Sequence, residues 1–490
     1  MNAKKICGAI GCLLLASTAM AQQSATSFKF DFGTGATAPG YTQIKPDTVF
    51  SPERGYGLEQ RNVPIVGIDS GSDPLTGDGV TADGPISFSV LVPEGNYRVT
   101  VTLGDAKAES TTTVKAETRR LMLENIHTEA GKFEKRTFVI NTRRMEIGSN
   151  GEKVEADLRE WPEYWTWDNK LTITFIGTHP AVAAMEISKA DDATTVFLMS
   201  DSTVTDQMQG NYGTWGMMLP RWFNDKVAVA NLAESGETVK GFRHEKRWDK
   251  ILSMAKPGDY VFMQFGHNDK NAPRGTDAMW PADSWSGQWS NKVSQADTDY
   301  REGLKQFITE AKAKGVIPVV VTPMTSVTTA GGPAFGRGRA PASAPAATPP
   351  APATSVPNAQ LEPYAKNAAL AAKETGAACI DLFAMSTEMH NALGPETSRK
   401  AVNDGLHSNL YGGYLLSRCV VEGIKQNLPD LAKNLSADVG TFDPKHPAPA
   451  VDEFNLPTDP GQPGIPGFGG ARRGRGPASG PAEAPANRGN

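Results

Sequence analysis

"TVFLMSDSTVTDQ", Thr195 to Gln207, is the stretch on which the fold of the longer half of the chain turns. It begins as an apolar, β-prone run and passes without a break into Ser200, Asp201, Ser202 and Thr203. Runs of the same character follow in "KVAVANLA", "DYVFMQFG", "VIPVVVTPM" and "AACIDLFA", and between most of them lie helical patterns such as Asp297 to Lys314 and Pro357 to Thr375. Continuous apolar strands alternating with helices predict an α/β domain whose parallel sheet is covered on both faces. Reactive groups in such sheets sit beyond the carboxyl ends of the strands, which is where Ser200 to Thr203 fall.

Residues 24–190 read differently. "SFKFDFG", "ISFSVLVPEGNYRVTVTLGD", "KRTFVINT" and "LTITFIG" are short alternating runs broken by Gly, Pro, Asn and Asp, the pattern of a β-sandwich. The acidic turn-rich piece Gly67 to Pro85 lacks the spacing of a calcium loop and reads as an ordinary long loop. A chain of 490 residues exceeds one ordinary domain of ~100–200 residues. Two folded domains are expected, the sandwich at 24–190 and the α/β domain at 195–437. Gly336 to Pro357 is too rich in Pro and Ala to pack and reads as a surface insertion, and 444–490 reads as a solvated low-complexity tail.

Met1 to Ala21 holds two lysines, an apolar stretch and Ala19-Met20-Ala21, the form of a cleaved secretory signal. Its apolar core is shorter than the ~20 residues that span a bilayer, so a membrane anchor is the weaker reading. The mature protein is expected in the periplasm or medium, with no membrane association and as a monomer. Cys7 and Cys12 leave with the signal, and Cys379 and Cys419 remain, open between one disulfide and two separate buried thiols. The formal net charge is −5 and no basic tract precedes the tail, which argues against nucleic acid; no cysteine spacing suits zinc. A neutral or weakly charged partner is expected.

Four segments of the α/β half each offer one kind of catalytic part. "SDST" supplies the Ser202 hydroxyl, "NLAESGETV" the Gly236 amide, "FGHND" the Asn268 side-chain amide, and "NDGLHSNLYGG" an acid, Asp404, three residues before His407. A carboxylate beside an imidazole fixes its tautomer and frees the other nitrogen as a base, which can activate a serine. Alone, each segment has a plain reading: a helix cap, a turn, a turn residue, a loop histidine.

Taken in order, they resemble the SGNH or GDSL hydrolase family, and within it the rhamnogalacturonan acetylesterase-like branch, over about Thr195 to Pro429. "VTDQ" after the serine and "WGMMLPRWF" (Trp215 to Phe223) carry the same likeness. The resemblance implies a three-layer α/β/α, flavodoxin-like domain, with Ser202 as nucleophile, His407 as base, Asp404 as its orienter, and Ser202, Gly236 and Asn268 lining the oxyanion hole. It implies removal of O-acetyl groups from a plant cell-wall polysaccharide of the rhamnogalacturonan or pectin type through a serine ester, with no metal or cofactor; the alternatives are another esterase of the family, acting on xylan or as a lipase or thioesterase, and a non-catalytic carbohydrate-binding protein. Activity should then fall in acid, where a protonated imidazole cannot take the serine proton. One departure is Ser200, where the family has glycine; if that turn needs a positive φ, the serine is strained by roughly 1–2 kcal/mol. "FDFGTG" and "FSVLVPEGNYRVTVTLGD" are similar to galactose-binding-like or malectin-like sandwiches. "AMWPADSWSGQWS" places Trp280, Trp285 and Trp289 in a loop after the asparagine, as a wall for sugar rings or as plain loop packing.

Overall fold

A computed structural model of the protein describes residues 26–459 apart from 62, 70, 118, 156–166, 209, 272–275, 277–280 and 328–359. The expected signal, the Pro- and Ala-rich insertion, Trp280 and the tail beyond residue 459 lie outside the described residues.

The period-two runs of the first part form two facing sheets. One has the order β10 (Glu134–Thr142), β7 (Gly95–Leu103), β14 (Ala181–Lys189), β1 (Ser27–Phe32), β2 (Thr42–Ile44), with β5 (Asp78–Ala82) paired to β14 and β4 (Ile65–Asp69) to β5. The other has the order β3 (Tyr56–Leu58), β6 (Ile86–Leu91), β13 (Lys170–Thr178), β8 (Ser110–Ala116), β9 (Arg120–Thr128). Alternate residues of β7, namely Tyr97, Val99, Val101 and Leu103, turn inward and join Phe30, Phe88 and Phe175 in one core. A short ribbon of β11 (Glu146–Ile147) and β12 (Glu152–Lys153) follows.

The second domain is built on five parallel strands, β15 (Thr194–Met199), β16 (Val227–Asn231), β17 (Tyr260–Met263), β18 (Ile317–Val321) and β19 (Ala378–Ile380), in the order β16-β15-β17-β18-β19. Successive side chains of a strand point to opposite faces. Val196 and Leu198 of β15 therefore enter one hydrophobic layer, and Phe197 and Met199 the other. That is why this strand is apolar without alternation. The helices are α1 (Trp215–Met218), α2 (Val239–His244), α3 (Arg247–Met254), α4 (Trp289–Lys292), α5 (Arg301–Ala313), α6 (Glu362–Thr375), α7 (Leu382–Lys400), α8 (Leu410–Asn427) and α9 (Pro429–Ala432). Leu304, Phe307, Ile308 and Ala311 give α5 the apolar stripe that covers one face of the sheet, and Leu415, Cys419, Val420 and Ile424 of α8 cover the other. The strand order reverses at β15, so the crevice between the ends of β15 and β17 is the natural place for a ligand.

The two domains share a buried boundary. Leu121 of β9 belongs to the core of the α/β domain, and Asn96 donates from Nδ2 to Thr195 Oγ1 at 2.9 Å. The tail expected from 444 onward is folded as far as Asp459. Phe454 packs on the rings of Tyr411 and Tyr414, and Leu456 is buried. The segment then returns to the sandwich, where Lys115 Nζ donates to the Pro457 carbonyl at 2.8 Å and Arg61 pairs with buried Asp459 at 3.0 Å. Its few large apolar side chains suffice because they enter a groove already lined by aromatics. Cys379 and Cys419 are free thiols, the latter buried. Among the described residues, no cluster of three His, Cys, Asp or Glu side chains could hold a metal, and no helix is long and apolar enough to cross a membrane.

Candidate active site

The turn after β15 is shaped by Asp201. Its Oδ1 accepts from the Thr203 amide at 3.0 Å and the Thr203 hydroxyl at 2.8 Å, closing a side-chain turn that leaves Ser202 at the tip. Ser200 is not in the left-handed region, so the strain expected there does not arise. Its side chain is buried and its Oγ lies 3.4 Å from Gln264 Nε2, which donates at 2.6 Å to Thr203 Oγ1.

The loop before α8 arrives from the other end of the domain. Asn409 caps α8, its side chain accepting from the Gly412 amide. The two loops zip together: the Gly213 amide donates to the Ser408 carbonyl at 3.1 Å, the Leu410 amide to the Asn211 carbonyl at 3.1 Å, and Ser408 Oγ to the Gly213 carbonyl at 2.9 Å. This approach requires glycine. A Cβ on Gly412 would stand 2.0 Å from the Ala401 carbonyl oxygen, and one on Gly413 would stand 2.8 Å from the Gly213 carbonyl carbon.

The result is a relay across the domain. His407 Nε2 lies 2.8 Å from Ser202 Oγ, and His407 Nδ1 lies 2.8 Å from Asp404 Oδ2. Asp404 Oδ1 also accepts from the backbone amides of His407 and Leu406 at 2.8 and 3.1 Å. Burial pushes the Asp404 carboxyl up, but these hydrogen bonds and the facing imidazole outweigh it and hold the group below the usual carboxylate range. An ionised carboxylate can only accept, so Nδ1 carries the proton and Nε2 faces the serine as acceptor. Such an arrangement can take a proton from the hydroxyl and return it to a leaving group.

Gly236 sits at φ 88°, a conformation that suits glycine, in the turn after β16. Among the described residues, no acceptor engages the backbone amide of Ser202 or of Gly236. One N–H of Asn268 donates to the Glu237 carbonyl at 3.0 Å, tying the β17 loop to the Gly236 turn; a primary amide keeps a second N–H to offer. Of the three tryptophans, Trp289 is buried with Lys292 over its ring and presents no face for a sugar. Trp285 is half-buried and stacks on His244, ring centroids 4.0 Å apart.

Three features were not singled out from the sequence. Gln207 donates from Nε2 to the Ser202 carbonyl at 3.1 Å; "VTDQ" held the signal without its geometry. Tyr212 sets its ring edge against His407 at 6.1 Å. Beneath the site lie buried ionisable groups. Burial pushes Asp201 up to about 6 and Asp269 up to about 7, and pushes His267 down to about 3.

Residues 201–412 match the GDSL-like Lipase/Acylhydrolase family, and residues 28–150 match the Beta-agarase/YXIM esterase-like, galactose-binding domain-like family. The chain therefore carries a GDSL hydrolase domain behind a galactose-binding-like domain, and it is a carboxylic ester hydrolase. Among its relatives is the uncharacterized esterase YxiM of Bacillus subtilis (strain 168), 26% identical over 81% of this chain and 91% of that protein. Another is the rhamnogalacturonan acetylesterase RhgT of the same organism, 27% identical over 47% of this chain and 89% of that protein. A crystal structure of Bacillus subtilis YxiM covers 82% of this chain and 98% of its own at 24% identity, with a TM-score of 0.40.

Proposed function

We propose that the protein is a secreted carbohydrate esterase that removes O-acetyl groups from a pectic polysaccharide of the rhamnogalacturonan type. The observation that carries the reading is the unbroken hydrogen-bonded line Ser202, His407, Asp404. The relationship to RhgT, named for that substrate, supports the choice of polymer.

In this mechanism His407 Nε2 takes the Ser202 proton as Oγ attacks the acetyl carbonyl. The oxyanion is met by the amides of Ser202 and Gly236 and by Asn268. The imidazolium, stabilised by Asp404, protonates the departing sugar hydroxyl, and water activated by the same imidazole then releases acetate and restores the serine. A single oxyanion donor is worth roughly 3–4 kcal/mol of barrier.

The test is acetate release from acetylated rhamnogalacturonan, xylan and chitin-type polymers, with p-nitrophenyl acetate and octanoate alongside. Rhamnogalacturonan is expected to be the best polymer and acetate the best acyl group. A preference for octanoate, or equal release from all three polymers, would reject the substrate assignment. Ser202→Ala is expected to remove acetate release while circular dichroism stays native.

A further inference from the structure

We propose that the tip of the β8–β9 hairpin of the sandwich is a positioning element of the active site, with Arg119 and Arg120 holding the loop that carries Ser202. This rests on Ser202 being the nucleophile. The two arginines touch no reacting atom and act through residues 206 to 210.

Arg119 is almost wholly buried, and its guanidinium donates from Nη1 to the Gln207 carbonyl at 3.1 Å and from Nη2 to the Gly210 carbonyl at 2.7 Å. Gln207 in turn donates from its side chain to the Ser202 carbonyl at 3.1 Å, so one residue separates the sandwich from the backbone of the nucleophile. Arg120, fully buried, places Nε 3.0 Å from Asp206 Oδ2 and donates from Nη1 to the Val229 carbonyl in the middle of β16 and to the Asn141 carbonyl. Asp206 Oδ1 accepts from Asn231 Nδ2 at 2.9 Å, and the same amide donates to the Val204 carbonyl at 2.7 Å. Arg143, also of the sandwich, brings Nη2 within 3.8 Å of Asp206. The serine loop is thus fastened at Val204, Asp206, Gln207 and Gly210, most of these by the other domain.

Two further observations mark the tip as shaped for this. Glu117 and Arg119 both lie in the left-handed region, at φ 53° and 64°, where a side chain is unfavourable and persists only when the surroundings dictate it. A buried ion pair also adds little stability over apolar packing and is better suited to fixing one geometry. A contact serving adhesion alone needs neither.

The experiment uses full-length Arg119→Ala and Arg119→Lys well below their melting temperatures. It measures kcat and KM on p-nitrophenyl acetate, and the second-order rate at which a fluorophosphonate captures Ser202. Positional errors at reacting groups cost rates steeply, so Arg119→Ala is expected to lower kcat and the capture rate together by roughly 10- to 100-fold, with KM nearly unchanged. Lysine, which can reach one of the two carbonyls, is expected to restore part of both. A folded Arg119→Ala protein that labels at the parental rate overturns the proposal. Should that variant fail to fold, Gln207→Leu cuts the same connection without disturbing the sandwich, and parental labelling there overturns it equally. Failure of the parent to label at Ser202, mapped by peptide mass, would instead sink the nucleophile assignment.

Discussion

Asp201, one position before the serine, carries a prediction of its own. Its carboxyl is buried and its folded pKa is raised to about 6 from an ordinary 3.8. Between those values the folded protein binds more protons than the unfolded chain, so this group's effect is to lower stability as pH rises from 3.8 to 6, and the loss is complete above that window. Asn at this position keeps an oxygen for the Thr203 amide and hydroxyl and removes the buried charge. Asp201→Asn should match the parent in thermal unfolding at pH 4 and exceed it at pH 8 by up to roughly 3 kcal/mol; equal melting at both pH values would refute the burial argument. Asp404→Asn should leave the fold intact and reduce kcat by roughly 10⁴-fold, because the wrong imidazole nitrogen is then protonated. The grouping of Ser202, Asp404 and His407 was legible through the order of the four segments and the family likeness it carries, since each segment alone has a plain reading; the 2.8 Å contacts that join them belong to the fold. Gln207, Tyr212 and the arginines were not, because each matters only through a contact made across the fold. The ordinary backbone of Ser200 was equally invisible, since a residue type does not reveal its φ.

At the scale of elements, the two periodicities told the domains apart. Alternation in β7 and continuous apolarity in β15 follow from one buried face and two. The parallel sheet and the place of the reactive segments at its carboxyl ends followed from that pattern together with the family likeness, whereas the strand order and the crevice beside β15 emerge only in the fold. The close packing at the start of α8 could not, although "YGG" was its trace: glycines in a helix read as weakness until a neighbouring backbone is seen against them. Gly413→Ala would drive a methyl group into the backbone at Gly213. We expect a loss of about 1–3 kcal/mol and a fall in kcat beyond any loss of folded protein, because α8 sets the position of His407. Melting and kcat measured on one preparation decide this; a destabilised protein with full kcat would show that α8 does not set the relay.

For the whole molecule, composition marked the segment after 444 as low complexity, yet its first part folds because Phe454 and Leu456 find aromatic partners elsewhere. Low density of large side chains forbids a core of its own but not docking on another. The cysteines, left open by sequence, are separate thiols, both raised in pKa by burial, Cys379 to about 11. Reducing agent should leave the melting temperature of protein prepared without residues 1–21 unchanged, and its denaturation without reductant should release two titratable thiols; a shift on reduction would indicate a crosslink. The hairpin tip bears on how such proteins can be recombined. Modules joined by a bare tether can be exchanged like tools on a handle, whereas here a transplanted sandwich without the arginine pair would leave the buried Asp206 carboxylate with the Asn231 amide but without its nearest guanidinium. Shuffled versions of this enzyme should inherit working sites only when the donor sandwich brings that pair with it.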